Sequence, residues 1–192
     1  MPKSFSEQEK DNIKKILIDG CKINWAKYGY KKTSVDELCE KAGISKGAFY
    51  LFYQSKEQLF CETIKIVQQN LYALIEEILL DEQSKYGVVK ALQAIYAEYD
   101  KSPFLYHTSS VDFTSFMNKL SNEERQDIFF DSLKGAKQML NKPFLSLRIE
   151  EEKALSVLAS LLNTIEYKDK MIINHHEVFN FMLDSLIEKI FE

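Results

Sequence analysis

From Ile13 to Ile190, apolar residues recur at intervals of three and four, and nowhere do they alternate over a convincing length. That spacing belongs to the amphipathic helix, whose 3.6-residue turn brings such positions onto one face; a half-buried strand needs period two. Six glycines and three prolines in 192 residues leave few places to turn, which favours long helices over many short strands. The chain is expected to be all-α. With 45% hydrophobic and 28% charged residues it can bury a real core, which argues against a disordered chain. Cys21, Cys39 and Cys61 are odd in number, widely spaced and without a Cys-x-x-Cys, so a disulfide framework is excluded and a reducing compartment expected. No apolar run approaches the roughly 20 residues that cross a bilayer, and the first residues lack the apolar core of a signal peptide. A cytoplasmic location follows as the expectation.

The helices can be placed by their caps. Ser6 with Glu9 forms a capping box before the stripe Ile13, Ile16, Leu17, Cys21, Trp25 and Tyr28, predicting a helix over about 7–28 that stops at Gly29. Thr33 or Ser34 caps a second helix carrying Val35, Leu38, Cys39 and Ala42 and ended by Gly43. Ser45 opens a third of barely two turns, Lys46 to Phe52 or Tyr53. Ser55 with Gln58 opens a long fourth helix. Further helices are expected over about 88–99 after Gly87, from Ser121 with Glu124 to about 140, over 150–167 and over 176–191, with a polar loop at 168–174. The natural division falls at the fourth helix, giving domains 1–54 and 55–192.

Charge separates the same two parts. Residues 1–60 hold eleven lysines against eight acids, a net of +3, whereas the rest of the chain carries −7. A basic end on an acidic body is expected to meet an anionic partner at that end only.

The informative stretch is Thr33 to Leu59, TSVDELCEKAGISKGAFYLFYQSKEQL. Physically it is helix, tight turn, helix: Gly43 allows the left-handed turn, Ala42 permits close approach, and Ile44 plugs the corner. Gly47 and Ala48, on the opening turn of the third helix, would let that turn sit deep in a DNA major groove. In Ser34, Leu38, Cys39, Ala42, Gly43, Ser45, Gly47, Tyr50, Tyr53, Lys56 and Leu59 the segment resembles the N-terminal helix-turn-helix domain of TetR-family transcriptional regulators, over about residues 7–60. It departs from that pattern in Cys39, where alanine is usual, and in the order Phe52-Tyr53. An inward Tyr53 ring would need a partner for its hydroxyl, and Phe52 could not make the phosphate contact of a tyrosine or histidine.

The resemblance implies an all-α regulator, with a three-helix DNA-binding domain followed by a larger helical domain for effector binding and dimerisation. Its DNA-facing residues would be Thr33, Ser34, Ser45, Lys46, Gly47, Ala48, Tyr50 and Lys56. Thr33 and Ser34 would offer hydroxyl and backbone N–H groups to phosphate, Tyr50 and Lys56 would contact the backbone, and Lys46 to Ala48 would face bases. It also implies a dimeric repressor released from its operator by a small molecule. Both arginines, Arg125 and Arg148, lie outside residues 1–60, so bidentate guanine reading is unavailable there. A palindromic, A·T-rich operator and steeply salt-dependent binding are expected.

Two apolar faces, Ala154, Leu155, Leu158, Leu161, Leu162, Ile165 and Val178, Phe179, Met182, Leu183, Leu186, Ile187, Ile190, are broad enough to predict a homodimer through the last two helices. Residues 96–130 hold 8 aromatics in 35 positions. A largely apolar effector is therefore expected against Tyr96, Tyr99, Phe104, Tyr106, His107, Phe113, Phe116 and Phe130, with Asn118, Gln138 and Asn163 as further polar groups. No Gly-rich phosphate loop or triad motif appears, and adjacent His175 and His176 should point to different helix faces, unlike an i, i+4 metal pair. Catalysis, a cofactor and a metal are therefore not expected. An adaptor that binds protein through its helix-turn-helix is the alternative to DNA binding.

Overall fold

The computed structural model describes residues 5–192, with the backbone but not the side chains of 129–132. It is 77% helical, and no strand occurs among the described residues. Among the described residues nine α-helices follow one another: α1 Glu7–Lys32, α2 Val35–Lys41, α3 Lys46–Phe49, α4 Lys56–Asp81, α5 Lys85–Lys101, α6 Val111–Met117, α7 Asn122–Leu140, α8 Glu151–Leu162 and α9 His175–Ile190. Two 3-10 segments, Pro103–Leu105 and Asn163–Lys170, follow α5 and α8. No helix among the described residues is long and apolar enough to cross a membrane.

The chain forms two compact units, residues 1–67 with 107–128, and residues 68–106 with 129–192. This division cuts across the linear boundary expected at 54/55. The first turns of α4 belong with the N-terminal helices, and so does α6, which returns to them from more than forty residues further on.

In the first unit, Ser6 and Glu9 close their capping box at the start of α1. The helix does not end at Gly29, as its sequence predicts. Gly29 takes φ +82°, and helical structure resumes to Lys32. The carboxylate of Asp112, on α6, accepts the backbone N–H groups of Tyr30 and Lys31 at 2.5 and 3.1 Å, supplying a cap to the resumed turn. A Cβ at position 29 would lie 2.7 Å from that carboxylate, so both backbone angle and space require glycine. The kink exposes Tyr28 and buries Tyr30 in its place. Tyr30 joins Trp25, Phe60 and Phe116 in a ring cluster whose centroids lie 4.6 to 5.9 Å apart. Gly20, whose Cβ would meet Leu38 at 3.0 Å, lets α2 close onto α1.

The second unit gathers the C-terminal part of α4, α5, α8 and α9 around Leu79, Leu92, Tyr96, Leu158, Phe179 and Leu183. Gly87 is not the boundary its sequence predicts. It lies within the first turn of α5, where a Cβ would come 2.0 Å from the Glu82 carbonyl oxygen. The helix expected over 150–167 ends earlier and tightens into the 3-10 segment, which takes up the start of the predicted polar loop. At the C-terminus, Arg148 N donates to the Ile190 carbonyl and its Nε to that of Phe191, holding the last residues against 146–148.

Candidate functional site

The α2–turn–α3 segment has the geometry its sequence implies. Gly43, at φ +65°, carries the turn, and Ile44 N donates to the Cys39 carbonyl at 3.0 Å. Cys39 is buried as a small apolar group. The Ser45 side chain accepts from Ala48 N at 3.2 Å and so caps α3. That helix is a single turn, shorter than predicted, and continues as non-helical turns through Phe52. Phe49 and Tyr53 anchor it, both buried, with ring centroids 5.7 Å apart. Burial and the neighbouring Glu62 carboxylate hold the Tyr53 phenol well above its usual range. Phe52 is half-buried, packed near the Phe5 ring.

Outward from this anchor stand Ser45, Lys46, Gly47 and Tyr50, all exposed. Gly47 has helical backbone, and a Cβ there would meet only Ser45 Oγ, at 3.8 Å. Glycine in place of alanine costs a helix about 1 kcal/mol, and nothing among the described residues requires it at position 47. Lys46 pairs with Asp36 at 3.0 Å, both side chains largely solvated, and the hydrogen bond from its ammonium raises its pKa. Ala48 is half-buried, and Ser34, at the α2 N-cap position, makes no side-chain capping bond.

Two residues assigned to phosphate contact are engaged elsewhere. Thr33 is buried, and its hydroxyl donates to the Gly29 carbonyl at 2.8 Å. Lys56 turns inward: its ammonium donates to the Tyr30 carbonyl and lies 4.4 Å from the centre of the Tyr30 ring. Burial draws its pKa down. The cause is the extension of α1 past Gly29, which sets a carbonyl of the last turn where a cation is favoured. The Tyr30 hydroxyl in turn donates to Glu57.

The second unit contains a cavity of about 320 Å³. Leu71, Ile75, Leu92, Ile95, Leu155, Leu158 and Leu162 make its wall apolar, and Gln68, Tyr72, Tyr99 and Asn163 bring polar groups to it. Burial raises the Tyr99 phenol, with Tyr72 nearby adding to the effect. Gly135 lets the α7 backbone run against Tyr72, since a Cβ there would fall 2.2 Å from the ring.

Of the aromatics expected at an effector site, Tyr99 is the one among the lining residues. Tyr96 is buried and stacks on Phe179 at 3.8 Å, while Tyr106 lies against Tyr99 at 5.7 Å. Phe104 is core of the second unit. Phe113 and Phe116 are core of the first unit, and exposed His107 also belongs there. Phe130 lies outside the described side chains. Asn118 and Gln138 are exposed, leaving Asn163 as the expected polar group at the cavity. Chain-wise aromatic density could not separate these sets, because residues 96–130 pass from one unit to the other.

His175 and His176 do not diverge as adjacency predicts. Their rings are 4.4 Å apart, and both face the carboxylate of Asp100. Burial pushes the thiols of Cys21 and Cys61 up to about 12, and all three cysteines are free and buried.

Residues 18–63 match the family model of bacterial regulatory proteins, tetR family. The uncharacterized HTH-type transcriptional regulator YerO of Bacillus subtilis is 27% identical over 175 residues, 84% of this chain and 59% of YerO. QacR, an HTH-type transcriptional regulator of Staphylococcus aureus, is 26% identical over 58% of this chain and 64% of its own length. The chain thus spans less than two thirds of the length of these relatives. Among solved structures, a TetR-family regulator from Agrobacterium tumefaciens superimposes with a TM-score of 0.71 at 12% identity, over 95% of this chain and 100% of that one. FadR from Bacillus subtilis, in complex with stearoyl-CoA, does so with a TM-score of 0.67 at 16% identity, over 92% of this chain and 98% of that one. The helix-turn-helix segment thus matches the TetR family of bacterial regulatory proteins over residues 18–63, and the all-helical architecture is the fold of solved TetR-family regulators.

Proposed function

We propose that the protein is a ligand-responsive, sequence-specific DNA-binding regulator of the cytoplasm, a homodimeric repressor that leaves its operator when a small, largely apolar molecule occupies the cavity. The observation that carries this reading is the exposed Gly47 on a rigidly anchored turn. Glycine there has no internal use but removes the bulk that would keep the α3 backbone from base edges.

Around Gly47, Lys46 and Ala48 address bases, while Ser34, Ser45 and Tyr50 address the backbone. Lys46 is free to exchange its partner, because a solvated pair such as Lys46–Asp36 is worth only about 0–1 kcal/mol. Thr33 and Lys56 act indirectly: the first holds the turn at the end of α1, the second locks α4 to it. Without arginine in residues 1–60, sequence is read through thymine methyls, groove shape and phosphates, favouring A·T-rich half-sites.

A second copy of the chain would cover α8 and α9, which carry exposed Ser156, Ser160 and Phe181, the last 76% exposed. Two copies are needed because a one-turn reader spans too few bases for useful specificity. A cavity of about 320 Å³ falls within the usual range for small-molecule sites, and its leucine-rich wall suits hydrocarbon. The neighbour FadR was solved with an acyl-CoA, a ligand with a long apolar chain. Whatever factor the effector lowers DNA affinity by, DNA must lower effector affinity equally.

Selection from random duplexes tests the reading. Enrichment of a two-fold symmetric, A·T-rich site with half-sites about one helical turn apart is expected. No enrichment, or a half-site read chiefly through guanine, would overturn it.

A further inference from the structure

The turn between the second 3-10 segment and α9 brings together chemistry that the DNA and effector sites do not use. Asp100 stands on the last turn of α5, and His175 and His176 open α9. The Nε2 atom of His175 is 3.6 Å from Asp100 Oδ1, and that of His176 is 3.8 Å from Asp100 Oδ2. One nitrogen from each ring and a carboxylate oxygen all lie within 4.8 Å of one another. His175 Nε2 is buried and has no hydrogen-bond partner among the described residues. The Tyr96 ring, itself stacked on Phe179, meets the His176 ring edge-on at 5.3 Å and limits its rotation.

We propose that Asp100, His175 and His176 form a binding site for a first-row divalent transition-metal ion of the Zn²⁺ class. Two imidazoles and one carboxylate suit such an ion, whereas magnesium and calcium prefer all-oxygen sets. Tetrahedral ligands about 2.0–2.1 Å from zinc stand roughly 3.3 Å apart, so each imidazole is a few tenths of an ångström too far from its nearer carboxylate oxygen, and the three ligand atoms, now within 4.8 Å of one another, must draw together around the ion. The Lys168 ammonium, 2.6 Å from Asp100 Oδ1, neutralises the carboxylate while the site holds no ion, and it must give way or leave the second oxygen to the metal. Bound metal would clasp the last turn of α5 to the first turn of α9. The preceding residue on α5, Tyr99, and the first residue of the 3-10 segment, Asn163, both line the cavity.

The test uses the full chain without an affinity tag, freed of metal by chelator, and titrated calorimetrically with Zn²⁺ and spectroscopically with Co²⁺. One ion per chain is expected, with cobalt absorption of a low-coordinate nitrogen–oxygen site. Asp100→Asn and His176→Gln should each weaken binding at least tenfold while far-ultraviolet circular dichroism keeps its helical signal. Lys168→Met, which removes the competing cation, should bind at least as tightly as the natural chain. Equal Zn²⁺ affinity for the natural chain and His176→Gln, no binding to either, or weaker binding by Lys168→Met would each overturn the assignment.

Discussion

The two units fill their centres in different ways. The first packs Trp25, Tyr30, Phe60 and Phe116 ring against ring and ties the same region together through Asp112, Lys56 and Glu57. The second surrounds about 320 Å³ with leucines, a glycine and a few polar groups. Dense aromatic packing holds a surface in one geometry, because interiors at crystal-like density have little room to yield. A core with a cavity forgoes contact energy at its lining and gains room for a guest. The contrast separates a part that must keep its shape from a part that can respond.

The largest effect that sharpens this contrast is expected at Trp25. Its truncation to alanine should cost about 3–5 kcal/mol, measured by chemical denaturation, and should abolish DNA binding at ordinary temperature. A loss below about 1 kcal/mol would show that the ring cluster does not hold the first unit. Next comes Gly135→Ala, whose methyl group would enter the Tyr72 ring position. Overpacking of this kind costs about 1–3 kcal/mol, and displacement of Tyr72 should also weaken binding of an apolar probe dye. If dye binding is unchanged, Tyr72 does not bound the guest site.

A smaller, pH-dependent effect is expected from Tyr30→Phe. Burial raises the Glu57 carboxyl, but hydrogen bonds from Tyr30, its own backbone and Ser55 outweigh this, leaving it below its ordinary value of 4.5. A depressed carboxyl stabilises the fold above the unfolded-state pKa and loses that share as pH falls through the folded-state value. Tyr30→Phe should therefore cost about 1 kcal/mol at pH 7 and less near pH 3, read from thermal unfolding across that range. An equal cost at both ends would show that the charge on Glu57 does not contribute to the stabilisation.

Features set by neighbouring residues were legible before the structure. The Ser6–Glu9 and Ser121–Glu124 boxes, the Gly43 turn and the Ser45 cap all form, because each is decided within three or four positions. Features set by distant partners were not. Gly29 reads as a stop, yet Asp112, 82 residues beyond Tyr30, caps a further turn and brings the Tyr30 carbonyl to Lys56. The histidine pair shows the limit of periodicity itself. Successive helix positions diverge along a helix, but at its first turn two long side chains can bend toward one carboxylate. Most of the expected effector aromatics proved to be core in one unit or the other, since linear density says nothing about which surfaces meet.

The central claim is that the turn bearing Lys46, Gly47 and Tyr50 reads duplex DNA. Fluorescence anisotropy of a labelled duplex taken from DNA upstream of the protein's own gene, competed with random duplex over a ladder of salt concentrations, measures this directly. The account predicts preferential binding that weakens linearly in log–log salt coordinates. It also predicts that Gly47→Leu, whose side chain would project into open space in the free protein, loses the preference without losing thermal stability. Equal competition by random duplex, or a Gly47→Leu variant that binds as well as the natural chain, would contradict it.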